Sequence, residues 1–218
     1  MAEMKEIQNQ KAQHKLLEAL DQLDQLDSDF KAVRAQYGNP SDRFEEPGFP
    51  ALVRIILGQQ ISRAVAHVLW TRMQEKNWIQ AKNLAALSYA ELQAIGLSKR
   101  KSEYIIDLAS AEAGTELCLS ALASQPAEEF TKTLIGYRGI GSWTIHNYRL
   151  FCLADMDAWP GNDLALMEAL RRVKHLKQRP NHLQMDQFAK AWQPCRGAAA
   201  LLLWHFYACV VRDARPVS

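Results

Sequence analysis

The run Leu134-Ile135-Gly136-Tyr137-Arg138-Gly139-Ile140-Gly141-Ser142-Trp143-Thr144, read with Trp159-Pro160-Gly161-Asn162-Asp163 downstream, decides how this chain folds. Gly139 and Gly141 flank one apolar residue between two stretches of helical pattern. Glycine reaches the positive φ angles that a tight hairpin between antiparallel helices demands. Such a turn leaves backbone N–H groups unpaired at the start of the helix opening near Ser142. The helix dipole favours negative charge there, so a phosphate is a natural occupant. The carboxylate of Asp163 would then sit close to a bound nucleic-acid backbone.

Outward from this run the pattern stays helical. Leu16, Leu20, Leu23, Phe30 and Val33 recur at helical spacing and predict one amphipathic opening segment with Asp21, Asp24 and Asp27 on its outer face. Gly38-Asn39-Pro40 and Pro47-Gly48-Phe49-Pro50 break the chain. Apolar periodicity resumes from Leu52 to Leu69, around Leu84 to Leu92, and from Tyr104 to Leu122. Ser124-Gln125-Pro126 with Glu128 and Glu129 reads as a helix start, which puts Phe130 to Ile135 on the first helix of the hairpin. Trp143 to Leu153 is apolar nearly all round, as in a central buried helix. No stretch of Val, Ile or Thr alternates as a strand would, and the expectation is an all-α fold.

With 218 residues, 48% of them hydrophobic, the chain has enough apolar surface for a substantial core. No apolar stretch approaches the roughly 18 residues of a membrane span. Met1-Ala2-Glu3-Met4-Lys5-Glu6 lacks the apolar centre of a signal peptide. These features predict an intracellular protein without membrane association, in the cytoplasm or nucleoid of a bacterium or the nucleus of a eukaryote. Cys118, Cys152, Cys195 and Cys209 are too scattered for a zinc site or a clustered four-cysteine site and read as buried thiols. The net charge of +2 hides an asymmetry. Residues 1–50 hold 6 Lys/Arg against 10 Asp/Glu, net −4, which leaves 20 against 14, net +6, for the rest. Lys99-Arg100-Lys101 and Arg171-Arg172-Val173-Lys174 are the densest basic runs. They read either as solvated helix faces or as groups that neutralise phosphates.

At the hairpin and its downstream Asp the chain resembles the helix-hairpin-helix DNA glycosylases, and within them the alkylation-damage branch of 3-methyladenine DNA glycosylase II. Ile56-Leu57-Gly58-Gln59-Gln60-Ile61-Ser62, Ile95-Gly96-Leu97-Ser98-Lys99-Arg100-Lys101, and Trp192-Gln193-Pro194-Cys195-Arg196 leading to Trp204 fit the same branch, so the likeness spans roughly residues 48 to 208. The resemblance implies a bilobal fold. A central helical barrel (residues 49–161) would contain the hairpin (134–153), and an N-terminal segment (1–48) would pack with a C-terminal lobe (162–218). Neither the extra N-terminal β domain of some relatives nor an iron–sulfur cluster is expected.

The resemblance also assigns roles. Asp163 matches the family's essential carboxylate and reads equally as the N-cap of the helix that follows; the two roles can coexist. An anion there would stabilise the positive charge that builds on deoxyribose as a base departs. Asp157 and Asp155 are second choices. Where bifunctional relatives place a nucleophilic lysine, this chain has Trp143, which implies water as nucleophile and an abasic site as product. Trp143 and Trp204 match walls of a pocket for a flipped purine, against the alternative of core packing, which is the reading preferred for Trp192. Asn147 stands where relatives often have a pocket tyrosine. Gln60 matches the side chain inserted into the gap left by the extruded nucleotide, or simply finishes a helical turn. Gly139, Ile140, Gly141, Ser142, Thr144, Lys99 and Arg100 would contact DNA, and Arg196 would brace the helix of Asp163. Backbone carbonyls of Ile135, Tyr137 and Ile140 match those that hold a monovalent cation, Na+ or K+, in relatives. His146 and His205 read as packed core residues. The implied protein is a monomeric, monofunctional glycosylase acting on double-stranded DNA with alkylated purines such as 3-methyladenine and 7-methylguanine, without an organic cofactor. The alternatives are a non-catalytic helix-hairpin-helix DNA binder and a glycosylase for another damaged base.

Overall fold

A computed structural model describes residues 2–41 and 43–212. They form thirteen α-helices: α1 (Ala2–Leu26), α2 (Ser28–Tyr37), α3 (Phe49–Gly58), α4 (Arg63–Glu75), α5 (Ala81–Ala85), α6 (Tyr89–Ala94), α7 (Lys99–Ala113), α8 (Leu119–Leu122), α9 (Ala127–Leu134), α10 (Ser142–Leu153), α11 (Leu164–Val173), α12 (His182–Ala189) and α13 (Arg196–Tyr207). A 3-10 turn at Lys190–Trp192 and a π-helical turn at Ala208–Arg212 complete the described residues, which contain no strand.

The opening amphipathic segment is two helices rather than one, because Asp27 leaves helical geometry (φ −151°, ψ 110°) and its side chain accepts the Asp29 N–H. The stretch from Leu52 to Leu69 is interrupted as well. Ser62 caps α4 by accepting the Val65 N–H, and Gln60 before it takes a left-handed φ of 58°. A non-glycine residue in that region costs of order 1–2 kcal/mol and persists only when its neighbours fix it.

The chain packs as two compact units, one made of Met1–Glu45 with Arg149–Ser218, the other of Glu46–Tyr148. Residues 149–161, assigned to the central segment from sequence, pack in the first unit instead. Leu150, Ala158 and Trp159 join its core with Leu16, Leu20, Leu23, Phe30, Leu170 and Leu202. Trp192 is buried in the same core, with edge-on contacts to Phe30 and Trp159. Its indole N–H donates to Asp27 Oδ2 (2.8 Å). Asp27 also receives Lys174 Nζ (2.6 Å), which in turn reaches Asp29 (2.8 Å). Asp27 and Asp24 therefore do not belong to a solvated acidic face, since Asp24 pairs with Arg34 at 2.8 Å and both carboxylates are largely shielded.

In the second unit, Phe130 of α9 and Tyr148 of α10 stack (5.5 Å between centroids, 25°), which joins the two hairpin helices. The Tyr148 hydroxyl accepts the Gly48 N–H where α3 begins. Two of the four cysteines depart from expectation: Cys152 and Cys195 are buried, whereas Cys118 and Cys209 are exposed. Among the described residues no helix is long and apolar enough to cross a membrane.

Candidate active site

The two glycines of the hairpin do different work. Gly139 has φ +82°, and a Cβ there would collide with the ring of Tyr104 on α7, over which the Arg138 guanidinium sits at 5.6 Å. Gly141 has no left-handed φ, and a Cβ there would meet nothing within 4 Å. The expectation that both glycines answer to backbone geometry is thus correct only for Gly139. Ile140 between them is buried, and its N–H closes the turn onto the Tyr137 carbonyl (3.1 Å). Gly141 stands at the N-cap position of α10 and has no side chain with which to cover the amides of the first turn. The Ala substitutions separate the two requirements. Gly139→Ala is expected to lose about 2 kcal/mol of stability from its φ alone. Gly141→Ala should cost less, about 1 kcal/mol or under for the poorer N-cap, and, if the hairpin grips a duplex as the sequence pattern implies, lose affinity for it, measured by urea melts and fluorescence anisotropy.

Gln59 fixes the hairpin, a role the sequence did not disclose. Its Nε2 donates to the Gly139 carbonyl (2.9 Å) and to Thr144 Oγ1 (2.8 Å). Thr144 is buried, which turns its hydroxyl inward onto Gln59. Lys101 caps the end of α3 by donating to the carbonyls of Leu57 (2.7 Å) and Gln59 (2.6 Å), and burial pushes its ammonium pKa down. Of the Lys99-Arg100-Lys101 run, then, Lys99 and Arg100 are exposed and Lys101 is engaged. Gln60 is exposed, next to its tethered neighbour. Trp143 is partly buried, and its carbonyl accepts the side-chain amide of Asn147 (2.7 Å), so the buried Asn147 turns back onto its own helix.

In the first unit, Asp163 caps α11. Its Oδ1 accepts the N–H groups of Ala165 (2.9 Å) and Leu166 (3.0 Å) and the indole N–H of Trp204 (3.1 Å). The loop before it is tight. A Cβ on Gly161 would strike Trp159 Nε1 and Asp186 Oδ1, so only glycine allows the turn that delivers Asp163. The Asp163 N–H closes that turn onto the Pro160 carbonyl (3.0 Å).

Arg196 does not brace α11 itself. It forms a forked pair with Asp157 (2.8 and 2.6 Å), while the Gly197 N–H binds the Met156 carbonyl (2.6 Å). A Cβ on Gly197 would press on the carbonyls of Asp155 and Met156. Asp155 is held by Arg149, so both second-choice carboxylates are already in ion pairs. The basic run on α11 is likewise engaged from within: Arg171 and Arg172 both bind Glu168, and their hydrogen bonds hold its carboxyl down at about 2. His205 bonds to the Tyr37 carbonyl (2.7 Å). Among the described residues no cluster of His, Cys, Asp or Glu has the makeup of a metal site.

Residues 53–194 match the family described as HhH-GPD superfamily base excision DNA repair protein. The chain belongs to this superfamily. Among HhH-GPD relatives, YfjP of Bacillus subtilis is 32% identical over 165 residues, covering 72% of this chain and 58% of its own length. The protein named DNA-3-methyladenine glycosylase from the same organism is 29% identical over 169 residues, covering 72% of this chain and 56% of the relative. The chain thus spans less than two thirds of either of these HhH-GPD proteins. The fold matches that of a Schizosaccharomyces pombe 3-methyladenine DNA glycosylase solved with abasic DNA, with a TM-score of 0.80 and 24% identity over 86% of this chain and 95% of that one.

Proposed function

We propose that this HhH-GPD chain is a monofunctional DNA glycosylase that hydrolyses the N-glycosidic bond of N3- and N7-methylated purines in duplex DNA. The observation that carries the reading is the Asp163 carboxylate, capping α11 with three donors on one oxygen, in a chain that has Trp143 and no lysine two residues after Gly141. The names of the Bacillus relative and of the fission-yeast structure support the choice of substrate class.

A purine methylated at N3 or N7 carries a formal positive charge and leaves as a neutral base, taking the electrons of the C1′–N bond. Positive charge remains on the sugar, where the Asp163 anion stabilises it. Water then adds to C1′ and gives up a proton, which leaves an abasic site. No organic cofactor is required, and no second acid is needed to protonate the leaving base. Trp143 supplies a π face suited to a cationic purine. The open amides from Gly141 onward, with Lys99 and Arg100, hold phosphates, and Gln60 fills the gap in the duplex. The carbonyls of Ile135, Tyr137 and Ile140 lie where α9 ends and the turn follows, and the end of a helix bares carbonyls suited to a monovalent cation. The protein is expected to act as a monomer.

The deciding experiment is base release from duplexes carrying single lesions, with alkali used to reveal abasic sites. Release of 3-methyladenine and 7-methylguanine is expected, with release of uracil and 8-oxoguanine slower by about a hundredfold or more, and no strand scission before alkali. Efficient uracil excision, or an adduct trapped by borohydride, would overturn the reading.

A further inference from the structure

We infer that Trp204 is a positioning residue whose indole N–H sets the orientation of the Asp163 carboxylate, an assignment that rests on the glycosylase reading above. The two backbone amides at the start of α11 grip Asp163 Oδ1 as they would in any helix cap. Trp204 adds a third donor, 3.1 Å from the same oxygen, from a different helix. Donors arriving from two elements restrain that oxygen from a direction the cap amides do not cover.

An indole N–H can only donate, so it acts on the anion and on nothing else at that oxygen. Its own position is set. The Trp204 ring stacks on Phe151 (5.6 Å, 26°), and that contact occupies one of its faces. At the other end of α13, Arg196 clasps Asp157. One helix therefore holds the segment from Asp157 to Asp163 at both ends, by the guanidinium at the first carboxylate and by the indole at the second.

The test separates the N–H from the ring. Trp204→Phe keeps an aromatic ring against Phe151 and removes the donor. Benzothienylalanine at position 204 keeps the bicyclic outline and replaces the N–H with sulfur, so it carries the test should the Phe variant fold poorly. In both, single-turnover release of 7-methylguanine is expected to slow about tenfold, the size of one charge-assisted hydrogen bond. The Kd for duplex containing an abasic-site analogue should stay within about twofold.

An unchanged rate in both variants would overturn the assignment. So would a fall in rate matched by an equal loss of affinity, which marks a stacking surface. Should the wild type release no methylated purine, the glycosylase reading fails by itself. The Trp204 assignment is then decided by crystal structures of both variants, in which the Asp163 carboxylate should turn from its wild-type orientation; a carboxylate that stays in place would overturn the assignment.

Discussion

Asp163→Asn is expected to leave fold and DNA affinity intact and to reduce base release by at least about a hundredfold. The substitution removes the charge and keeps the cap. Asparagine is as good an N-cap as aspartate, and its side-chain oxygen still accepts from Ala165, Leu166 and Trp204. Melting behaviour should therefore match the wild type, while single-turnover release from methylated duplex falls. Near wild-type turnover would take the catalytic role away from Asp163. Asp157 is then a poor replacement, because moving it to the reaction would break the fork with Arg196.

The largest effect on stability is expected at Asp27. This carboxylate caps α2, receives Lys174 and accepts the indole N–H of buried Trp192. Burial alone would raise its pKa, but hydrogen bonds from Lys174 and Trp192 and the charge of Lys174 outweigh burial and hold it below the usual range. Burial likewise opposes the charge on Lys174, and Asp27 and Asp29 more than restore it, so that pKa is raised. Asp27→Ala leaves the shielded Lys174 ammonium with Asp29 alone and the indole N–H of buried Trp192 without its acceptor, and should cost about 3 kcal/mol in urea melts. Asp27→Asn, which keeps the cap, should cost less.

The sign with pH follows from the two shifts. Asp27 contributes stability above the unfolded carboxylate pKa of about 3.9 and loses it as pH falls through the lower folded value. Lys174 contributes below the unfolded value of about 10.4 and loses it as pH rises through the raised one. The gap between Asp27→Ala and the wild type should therefore be widest between about pH 4 and about pH 10. A gap under about 1 kcal/mol at neutral pH would mean that the network is incidental.

The sequence disclosed features written in local chemistry. The Gly139-Ile140-Gly141 turn, the helix start at Pro126, the Asp163 cap and the all-α composition each follow from near neighbours in the chain. What stayed hidden depends on partners far away in sequence. Asp27 reads as one more acid on a helical stripe until Lys174 and Trp192 reach it. Lys101 reads as part of a basic run until it is found on the carbonyls of Leu57 and Gln59. Gln59 is a polar residue after an apolar stretch, and nothing local says that its amide crosses to Gly139 and Thr144. For Arg171 and Arg172 a local signal did exist: Glu168 lies three and four positions back, the spacing at which helical ion pairs form.

Gly139 and Gly141 look equivalent in a sequence motif, yet only one of them is demanded by the chain itself. Gly139 answers to Tyr104 and to its own φ, whereas Gly141 leaves open space that nothing in the protein fills. The pattern thus joins two requirements of different origin, one set by folding and one that, on the proposed function, is set by a bound phosphate. A library randomised at both positions and selected for folding alone should accept other residues at 141 and keep glycine at 139.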